Sequence, residues 1–347
     1  MTSPPREETS LDRQITRLNR LRAAPPAGTD LAQVTGLLGG TLLERYWRDG
    51  DPGTLATAID RLHEAVDRHS GHRDRAQWYG WLGLGYGERA EMTGEVADYD
   101  LAIGWMSRAR AGLSGADPED DAVTAVALAE LSWDRFCARC RQPDCDDPTV
   151  HTEANRLTVQ LAALSVGDYD PRTRHYLAML RGLGHLERFA VSDEPTDLEQ
   201  AVAALGHALA GLPPDTPRRG LAGAELANAY RIRALLVRDP DGLDLALATG
   251  RAVIAGSGPD QPEWELAHRY QALGHEDRWH TGREPADLDR AIACWRVVLA
   301  ADPDQEAAAT CGQLLRERAG RTGSRADAAE AARLLRTAGA GPPPAGR

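Results

Sequence analysis

Residues 82–89 read LGLGYGER, and the pattern they contain, a small residue followed six positions later by an arginine, recurs along the whole sequence. In six copies an alanine follows 13 positions after the arginine, and in the third copy the alanine, Ala154, comes six residues later still. Self-similarity at a spacing of 40 to 53 residues is typical of stacked repeats, in which each unit packs only against its neighbours. The seven pairs are Gly39/Arg45, Gly83/Arg89, Ala129/Arg135, Gly182/Arg188, Ala227/Arg233, Ala272/Arg278 and Gly312/Arg318.

The second repeat shows how each unit is organised. Its first helix is predicted over residues 73–92, where apolar residues recur at helical spacing, and Thr93-Gly94 is predicted to end it. Asp98 is predicted to cap a second helix. One face of that helix carries Ala102, Ile103, Met106 and Ala109. Because the other repeats follow the same scheme and no segment alternates like a strand, the sequence predicts an all-α fold.

The repeated small residues lie in the middle of predicted first helices. A glycine there costs about 1 kcal/mol relative to alanine, so its recurrence indicates that two helices approach closely at that point. The alanine that follows 13 positions after the arginine is the predicted facing contact on the second helix.

The chain is predicted to have four parts. Residues 1–10 are polar and are expected to be disordered, and residues 11–28 are predicted to hold an N-terminal capping helix, with Ser10 as its N-cap. Residues 29–338 are predicted to form the repeat domain, and residues 339–347, rich in glycine and proline, to form a disordered tail.

The pattern resembles the tetratricopeptide repeat (TPR), in which a Leu-Gly pair and an aromatic residue on the first helix face small residues on the second. The second repeat supplies Tyr79, Leu82, Gly83, Tyr86, Ala102, Met106 and Ala109 for this comparison. The units are longer than is usual in that family because the segment between the paired helices is extended, which is similar to repeats in actinobacterial signalling proteins. The resemblance implies a right-handed α-solenoid of about seven TPR-like helix pairs, with a period of about 45 residues, behind the N-terminal helix.

Composition narrows the functional classes. All 40 basic residues are arginine and the formal net charge is −12, which argues against a nucleic-acid partner. No stretch approaches the ~18 apolar residues of a membrane span, and the N-terminus lacks a signal-peptide pattern. Together with the absence of nucleotide-binding or hydrolase motifs, this predicts a cytoplasmic protein that is neither an enzyme nor membrane-bound.

The residue before the repeated arginine is acidic in six of the seven repeats. The resemblance to TPR proteins implies that this row lies on a concave surface, where it would form a groove for a basic or amphipathic peptide. The alternative is a set of solvated Glu–Arg pairs, each worth less than about 1 kcal/mol. The groove interpretation predicts a protein-binding adaptor or regulatory module. Its residues are Glu44, Glu88, Asp134, Glu187, Asp277 and Glu317, with Trp81, Trp133, Tyr176, Met179 and Tyr270 nearby.

A cysteine-rich segment in the third repeat suggests a second functional class. Cys137, Cys140, Cys145 and His151 have residue types and spacing that can close a tetrahedral zinc site, and they coincide with the longest loop between paired helices. Cysteines without a metal are the favoured explanation, because Cys137 can belong to a helical core. The alternative function is therefore a helical-repeat enzyme or small-molecule sensor with a metal site near residues 137–151.

Two histidines occupy equivalent places in the fourth and sixth repeats. His185 and His275 each stand three residues before the repeated arginine, where Tyr86 and Tyr230 stand in other repeats. This interchange predicts packed, hydrogen-bonded rings and argues against catalytic histidines.

Overall fold

The computed structural model describes residues 10–68, 71–113, 118–142, 145–164, 169–214, 216–301 and 304–339. Within these ranges the regular secondary structure consists of fifteen α-helices and no strand, which confirms the all-α prediction. Eight of the helices begin at a proline, which has no backbone N–H. No hydrogen bond is lost, because N–H groups in the first turn of a helix have no acceptor within the helix. The helices are α1 Ser10–Ala23, α2 Leu31–Asp49, α3 Pro52–Arg68, α4 Arg75–Thr93, α5 Val96–Leu113, α6 Pro118–Cys140, α7 Asp147–Leu164, α8 Pro171–Ser192, α9 Pro195–Gly211, α10 Pro217–Val237, α11 Pro240–Gly256, α12 Pro262–Gly282, α13 Pro285–Ala301, α14 Gln305–Thr322 and α15 Arg325–Gly339.

The two ends of the chain extend slightly further into helices than the sequence predicts. Of the segments predicted to be disordered, residues 1–9 and 340–347 lie outside the described residues, whereas Ser10 is the first residue of α1 and Gly339 the last of α15. The predicted capping helix is α1, which ends at Ala23, two residues before Pro25.

Seven helix pairs follow α1 in the described residues, one for each recurrence of the small residue and arginine. The even-numbered helices α2 to α14 are the first helices of the repeats, and each is followed by its second helix. The chain divides within α8 into two compact units, unit 1 (Met1–Leu180) and unit 2 (Arg181–Arg347). In unit 1 the helices α2 and α4 pack on one another, as α10 and α12 do in unit 2. The fold is therefore a helical repeat; its handedness stays a prediction.

The glycines in the first helices mark points of close helix contact, as predicted. A Cβ atom at Gly182 would lie 2.6 Å from Cγ of Leu205 on α9, and one at Gly39 would lie at the same distance from Cγ of Leu62 on α3. Carbon atoms do not approach to such distances, so only glycine fits there. The facing side chain is the one four residues after the repeated alanine, a position that the sequence interpretation assigned to the alanine itself.

Most of the first helices end at a residue in the left-handed conformation, eleven positions after the small residue. Glycine supplies it at Gly50, Gly94 and Gly323, with φ of 69°, 72° and 73°. Arg238 and Arg283 take the same conformation, with φ of 55° and 58°, although a side chain makes it costly. The prediction that Gly94 ends the first helix of the second repeat is confirmed.

The repeated arginine joins the two helices of its own repeat. In the second repeat Nε and Nη2 of Arg89 donate to the carboxylate of Asp98 at 2.7 and 2.5 Å. Asp98 therefore lies inside the first turn of α5 and binds an arginine, and the prediction that it caps this helix is wrong. The same spacing of nine residues recurs in Arg188–Asp197, Arg278–Asp287 and Arg318–Asp327.

Several of these arginines also reach back to the second helix of the preceding repeat. Nη1 of Arg318 donates to Asp289 on α13 at 2.9 Å, and Nη1 of Arg278 donates to Asp244 on α11 at 2.6 Å. In unit 1, Nε of Arg135 donates to Asp100 on α5 at 2.7 Å. One guanidinium thus holds three helices, because its planar fork presents several donors at once.

Candidate functional site

The first helices of unit 1 contact one another through polar side chains. Nε1 of Trp47 on α2 donates a hydrogen bond to Glu88 on α4 at 2.5 Å. The hydroxyl of Tyr176, at the start of α8, donates to Glu130 on α6, also at 2.5 Å. These contacts place acidic and aromatic side chains of successive repeats along the surface that the first helices share.

Four carboxylates of α4 and α6 form an acidic cluster on this surface: Glu88, Glu91, Glu130 and Asp134. Burial, together with the charges of Glu91 and Glu130, raises the pKa of Asp134 to about 6, although Arg141 acts in the opposite direction. Loss of solvent, together with the charges of Glu88 and Glu130, raises the pKa of Glu91. Because neighbouring carboxylates raise the pKa of Asp134 and of Glu91, the negative charge at these two positions is incompletely neutralised. The cluster therefore attracts positive charge.

A cavity of about 660 Å³ adjoins the acidic cluster in unit 1. Its apolar wall includes Val123, which is 64% exposed although it is hydrophobic. Its polar wall includes Glu130, Glu119 and Asp170. The hydroxyl and backbone N–H of Thr173 donate to Asp170 and lower its pKa, so this carboxylate is ionised at neutral pH. The other lining residues are Leu84, Ala122, Val126, Ala127 and Thr173.

The four aromatic and apolar groove residues predicted in unit 1 differ in accessibility. Trp81 is half-buried and lies against α2, where a Cβ atom at Gly40 would come within 2.8 Å of its ring. Trp133 is half-buried beside Phe136, with ring centroids 5.9 Å apart. Tyr176 is buried, and Met179 is only 2% exposed. Trp81 and Trp133 can therefore meet a ligand directly, whereas Tyr176 and Met179 support the surface from beneath.

Unit 2 carries a half-buried carboxylate on its first helices. The hydroxyl of Tyr270 on α12 lies 3.1 Å from both oxygens of Glu225 on α10. Burial and the charge of Glu187 raise the pKa of Glu225 to about 7, although the hydrogen bond from Tyr270 lowers it. Burial also raises the pKa of Glu187. At neutral pH the carboxyl group of Glu225 is therefore only partly ionised.

The remaining members of the predicted acidic row are exposed or paired. Glu44 is exposed on α2. Asp277 accepts a hydrogen bond from Arg231 at 2.8 Å. Glu317 accepts hydrogen bonds from Arg283 at 2.8 Å and from Trp279 at 3.1 Å. Asp277 and Glu317 in unit 2 are thus paired with arginines, as the ion-pair alternative predicts. Glu91 and Asp134 in unit 1 lie among other carboxylates, which fits the groove interpretation better.

Four residues described above were not predicted from the sequence: Trp47, Glu91 and Glu130 in unit 1 and Glu225 in unit 2. Trp47 and Glu91 stand eight positions after the small residue of their repeats, and Glu130 stands directly after it. One turn of helix separates each of these three from the predicted acidic position, so extending the repeat register by one turn would have found them. Glu225 stands two positions before the small residue Ala227, two turns from the corresponding position, and the repeat pattern gave no signal for it.

The structure gives no support to a zinc site at the predicted cysteines. Cys137 and Cys140 lie in the last turn of α6, Cys145 lies in the connection that follows, and His151 is exposed on α7. Within the part of the chain that is described, no group of three or more His, Cys, Asp or Glu side chains is arranged to hold a metal ion.

The two equivalent histidines are packed rings, as predicted. Nδ1 of His185 lies 3.1 Å from Asp197, and Nδ1 of His275 lies 3.0 Å from Asp287. Burial lowers the pKa of both imidazoles, although these carboxylates act in the opposite direction. Both rings are therefore neutral at physiological pH and bind the same aspartates as the repeated arginines.

No protein-family model matches the chain, and no curated protein sequence matches it. Among solved structures, a monomeric mutant of IFIT1 with Gppp-AAAA has a TM-score of 0.45 and 12% identity over 96% of this chain and 65% of that one. The human IFIT1 dimer with PPP-AAAA has a TM-score of 0.37 and 14% identity over 97% and 73%. Rap protein complexed with competence and sporulation factor has a TM-score of 0.29 and 12% identity over 94% and 96%. The chain thus spans 65% of the length of the first of these structures.

No helix in the described ranges is both long enough and apolar enough to cross a membrane.

Proposed function

We propose that the chain is a non-catalytic binding scaffold, and that the acidic cluster and the adjoining cavity of unit 1 hold a basic segment of a partner protein. One observation carries the proposal: beside an open cavity, burial and neighbouring carboxylates raise the pKa of Glu91 and of Asp134. An arginine or lysine placed among them would relieve this repulsion and form charge-assisted hydrogen bonds.

The cavity supplies the apolar part of the recognition. Val123 is 64% exposed, and together with Leu84 and Val126 it offers a surface that a hydrophobic side chain of the partner can cover. A segment with a basic residue close to an apolar one would satisfy both parts of the site, which is how amphipathic peptides are recognised.

The half-buried tryptophans favour a protein partner over a small ion. Trp81 and Trp133 lie on α4 and α6, the helices that carry the acidic cluster. Large aromatic side chains contribute most of the binding energy at many protein interfaces. The net charge of −12 favours a basic partner and disfavours nucleic acid.

A random peptide display library, selected on the purified chain at low ionic strength, tests this proposal. Enriched peptides are expected to combine arginine or lysine with an apolar residue. Their affinity is expected to fall roughly tenfold for the double variant Glu91→Gln/Asp134→Asn, because charge-assisted contacts are lost. The matched control is Asp67→Asn/Glu284→Gln, which removes two exposed carboxylates elsewhere and is expected to bind like the parent.

Two further measurements sharpen the test. Because a basic ligand favours ionised Asp134, affinity is expected to fall as the pH drops through about 6, and the single variant Asp134→Asn is expected to lose that dependence. A single-stranded RNA oligonucleotide is expected not to bind. If selected peptides bind Glu91→Gln/Asp134→Asn as tightly as the control Asp67→Asn/Glu284→Gln, the binding surface lies elsewhere.

A further inference from the structure

A second cavity, of about 350 Å³, lies in unit 2. Residues at the C-terminal ends of α9 and α11 form one side of it, and residues from the first turns of α10 and α12 form the other. The lining includes Leu209, Thr216, Arg219, Val253, Ser257 and Glu263.

Glu263 is an unpaired acid in the wall of this cavity. The residue is only 4% exposed. Among the described residues, none donates a hydrogen bond to its carboxylate or forms an ion pair with it. Its side chain lies over the first turn of α10, where a Cβ atom at Gly220 would be 2.5 Å from Cγ and 3.0 Å from Oε1 of Glu263. A carboxylate that lines a cavity without an ion-pair partner can accept hydrogen bonds from a cation placed in that cavity.

The cavity already shows how a cation is held at the end of a second helix. Nη1 of Arg219 donates to the backbone carbonyl of Leu212 at 2.8 Å and to that of Leu209. This guanidinium therefore satisfies carbonyls at the end of α9, which have no partner within the helix. A cation at a helix C-terminus is also favoured by the helix dipole.

The end of α11 lacks the equivalent arginine. Arg219 stands eight residues before the small residue of its repeat, and Trp264 occupies that position in the next repeat. The backbone N–H of Ser257, which follows α11, makes no hydrogen bond back to the helix among the described residues. The cavity thus brings together the Glu263 carboxylate and the carbonyl end of α11, a set of acceptors without matching donors.

We propose that this cavity binds a small organic cation, a guanidinium or primary ammonium compound with a short alkyl chain. The charged end would lie between Glu263 and the carbonyl end of α11, where several N–H donors are needed. The alkyl chain would lie against Leu209 and Val253, the apolar residues of the wall.

Calorimetric titration with n-butylguanidinium and n-butylurea tests the proposal, because the two probes have nearly the same shape and differ in charge. The parent is expected to bind one butylguanidinium per chain and to give no signal with butylurea. The variant Glu263→Gln is expected to bind butylguanidinium at least roughly tenfold more weakly, because the charged partner is removed. The control Glu265→Gln lies two residues further along α12, where its carboxylate pairs with Arg269 at 3.1 Å, and is expected to bind like the parent.

Three outcomes would overturn the proposal: no binding of butylguanidinium to the parent, equal binding of both probes, or equal binding to the parent and Glu263→Gln. A thermal melt of each variant establishes that it is folded. Should Glu263→Gln fail to fold, the comparison of the two probes on the parent still decides whether the cavity selects a cation.

Discussion

Nε of Arg188 lies 2.7 and 2.8 Å from the two carboxylate oxygens of Asp197, nine residues further along the chain. The aspartate side chain is almost fully buried, whereas the arginine keeps part of its surface in solvent. His185 contacts the same carboxylate. The Arg188–Asp197 pair therefore fixes the second helix against the first at a point where an unpaired charge would be costly.

Removal of this arginine is expected to destabilise the protein strongly. Arg188→Ala would leave Asp197 buried without its main partner, at a cost of about 3 kcal/mol. Arg233→Ala is the matched control, because its partner Glu199 is 60% exposed at 3.5 Å and the expected loss is below about 1 kcal/mol. The measurement is the unfolding midpoint in urea. Equal losses in the two variants would contradict a special role for the buried pair.

Enlargement of a contact glycine is expected to destabilise the protein, whereas the same change at an open glycine is not. Gly182→Ala places a Cβ atom 2.6 Å from Cγ of Leu205 and is expected to cost about 1–3 kcal/mol through overpacking. Gly206→Ala, in α9 with no atom within 4 Å of the new Cβ, is expected to stabilise by about 0.5–1 kcal/mol. Thermal melts of both variants measure the difference, and a stabilised Gly182→Ala would refute the close helix contact.

The half-buried carboxylate of Glu225 in unit 2 is expected to make stability depend on pH. The pKa of Glu225 is raised from 4.5 to about 7 in the folded protein, so its contribution is fully present below pH 4.5 and is lost as the pH rises through 7. Glu225→Gln is expected to remove that loss and to gain about 2 kcal/mol relative to the parent between pH 5 and pH 8. Tyr270→Phe removes a hydrogen bond to the ionised form and is expected to steepen the dependence. Parallel pH profiles for the parent and Glu225→Gln would show that Glu225 does not titrate in this range.

Charge reversal on the surface of unit 1 is expected to affect binding much more than folding. Glu88→Arg with Asp134→Arg should weaken a selected basic peptide strongly at low salt and less at high salt, because salt screens the attraction. Trp133→Ala should weaken it through lost apolar contact, with little salt dependence. Fluorescence anisotropy at two ionic strengths separates the two effects. Unchanged affinity in the charge-reversed variant would show that these carboxylates are not part of the binding surface.

Removal of metal is expected to leave the protein unchanged. The described residues contain no metal-binding group, so a chelator should alter neither the melting temperature nor the helix content. The double variant Cys137→Ser/Cys140→Ser is expected to respond to the chelator in the same way as the parent. About one zinc ion per chain in protein purified without chelator would restore the ligand set of Cys137, Cys140, Cys145 and His151.

The architecture could be predicted from the sequence because it depends on small residues. Gly39 and Gly182 are visible as glycines wherever they stand, and the contact they make tolerates nothing larger. The role of the repeated arginine was harder to predict. From the sequence alone, its partner could equally be the acidic residue just before it or the aspartate nine residues after it. The distance between Arg188 and Asp197 is set by how the two helices turn, which local spacing does not specify.

The binding surface was predicted less completely, for a related reason. The acidic row is a sequence pattern, but whether each member is neutralised depends on side chains from the next repeat. Arg231 neutralises Asp277, whereas Asp134 lies among other carboxylates. The burial of Met179 and the exposure of Trp47 likewise follow from the packing of neighbouring first helices.

The arginine that binds one aspartate of its own repeat and another of the preceding repeat makes whole repeats interchangeable. Excision of residues 240–284 would join Asp239 to Pro285 and carry Asp289 into the place of Asp244. Arg318 would keep both of its partners, and Arg233, which has Gly242 nine residues on, would find Asp287 there instead. We therefore expect unequal recombination in units of one helix pair to give chains that still fold. Each new junction keeps an arginine–aspartate pair between the joined helices.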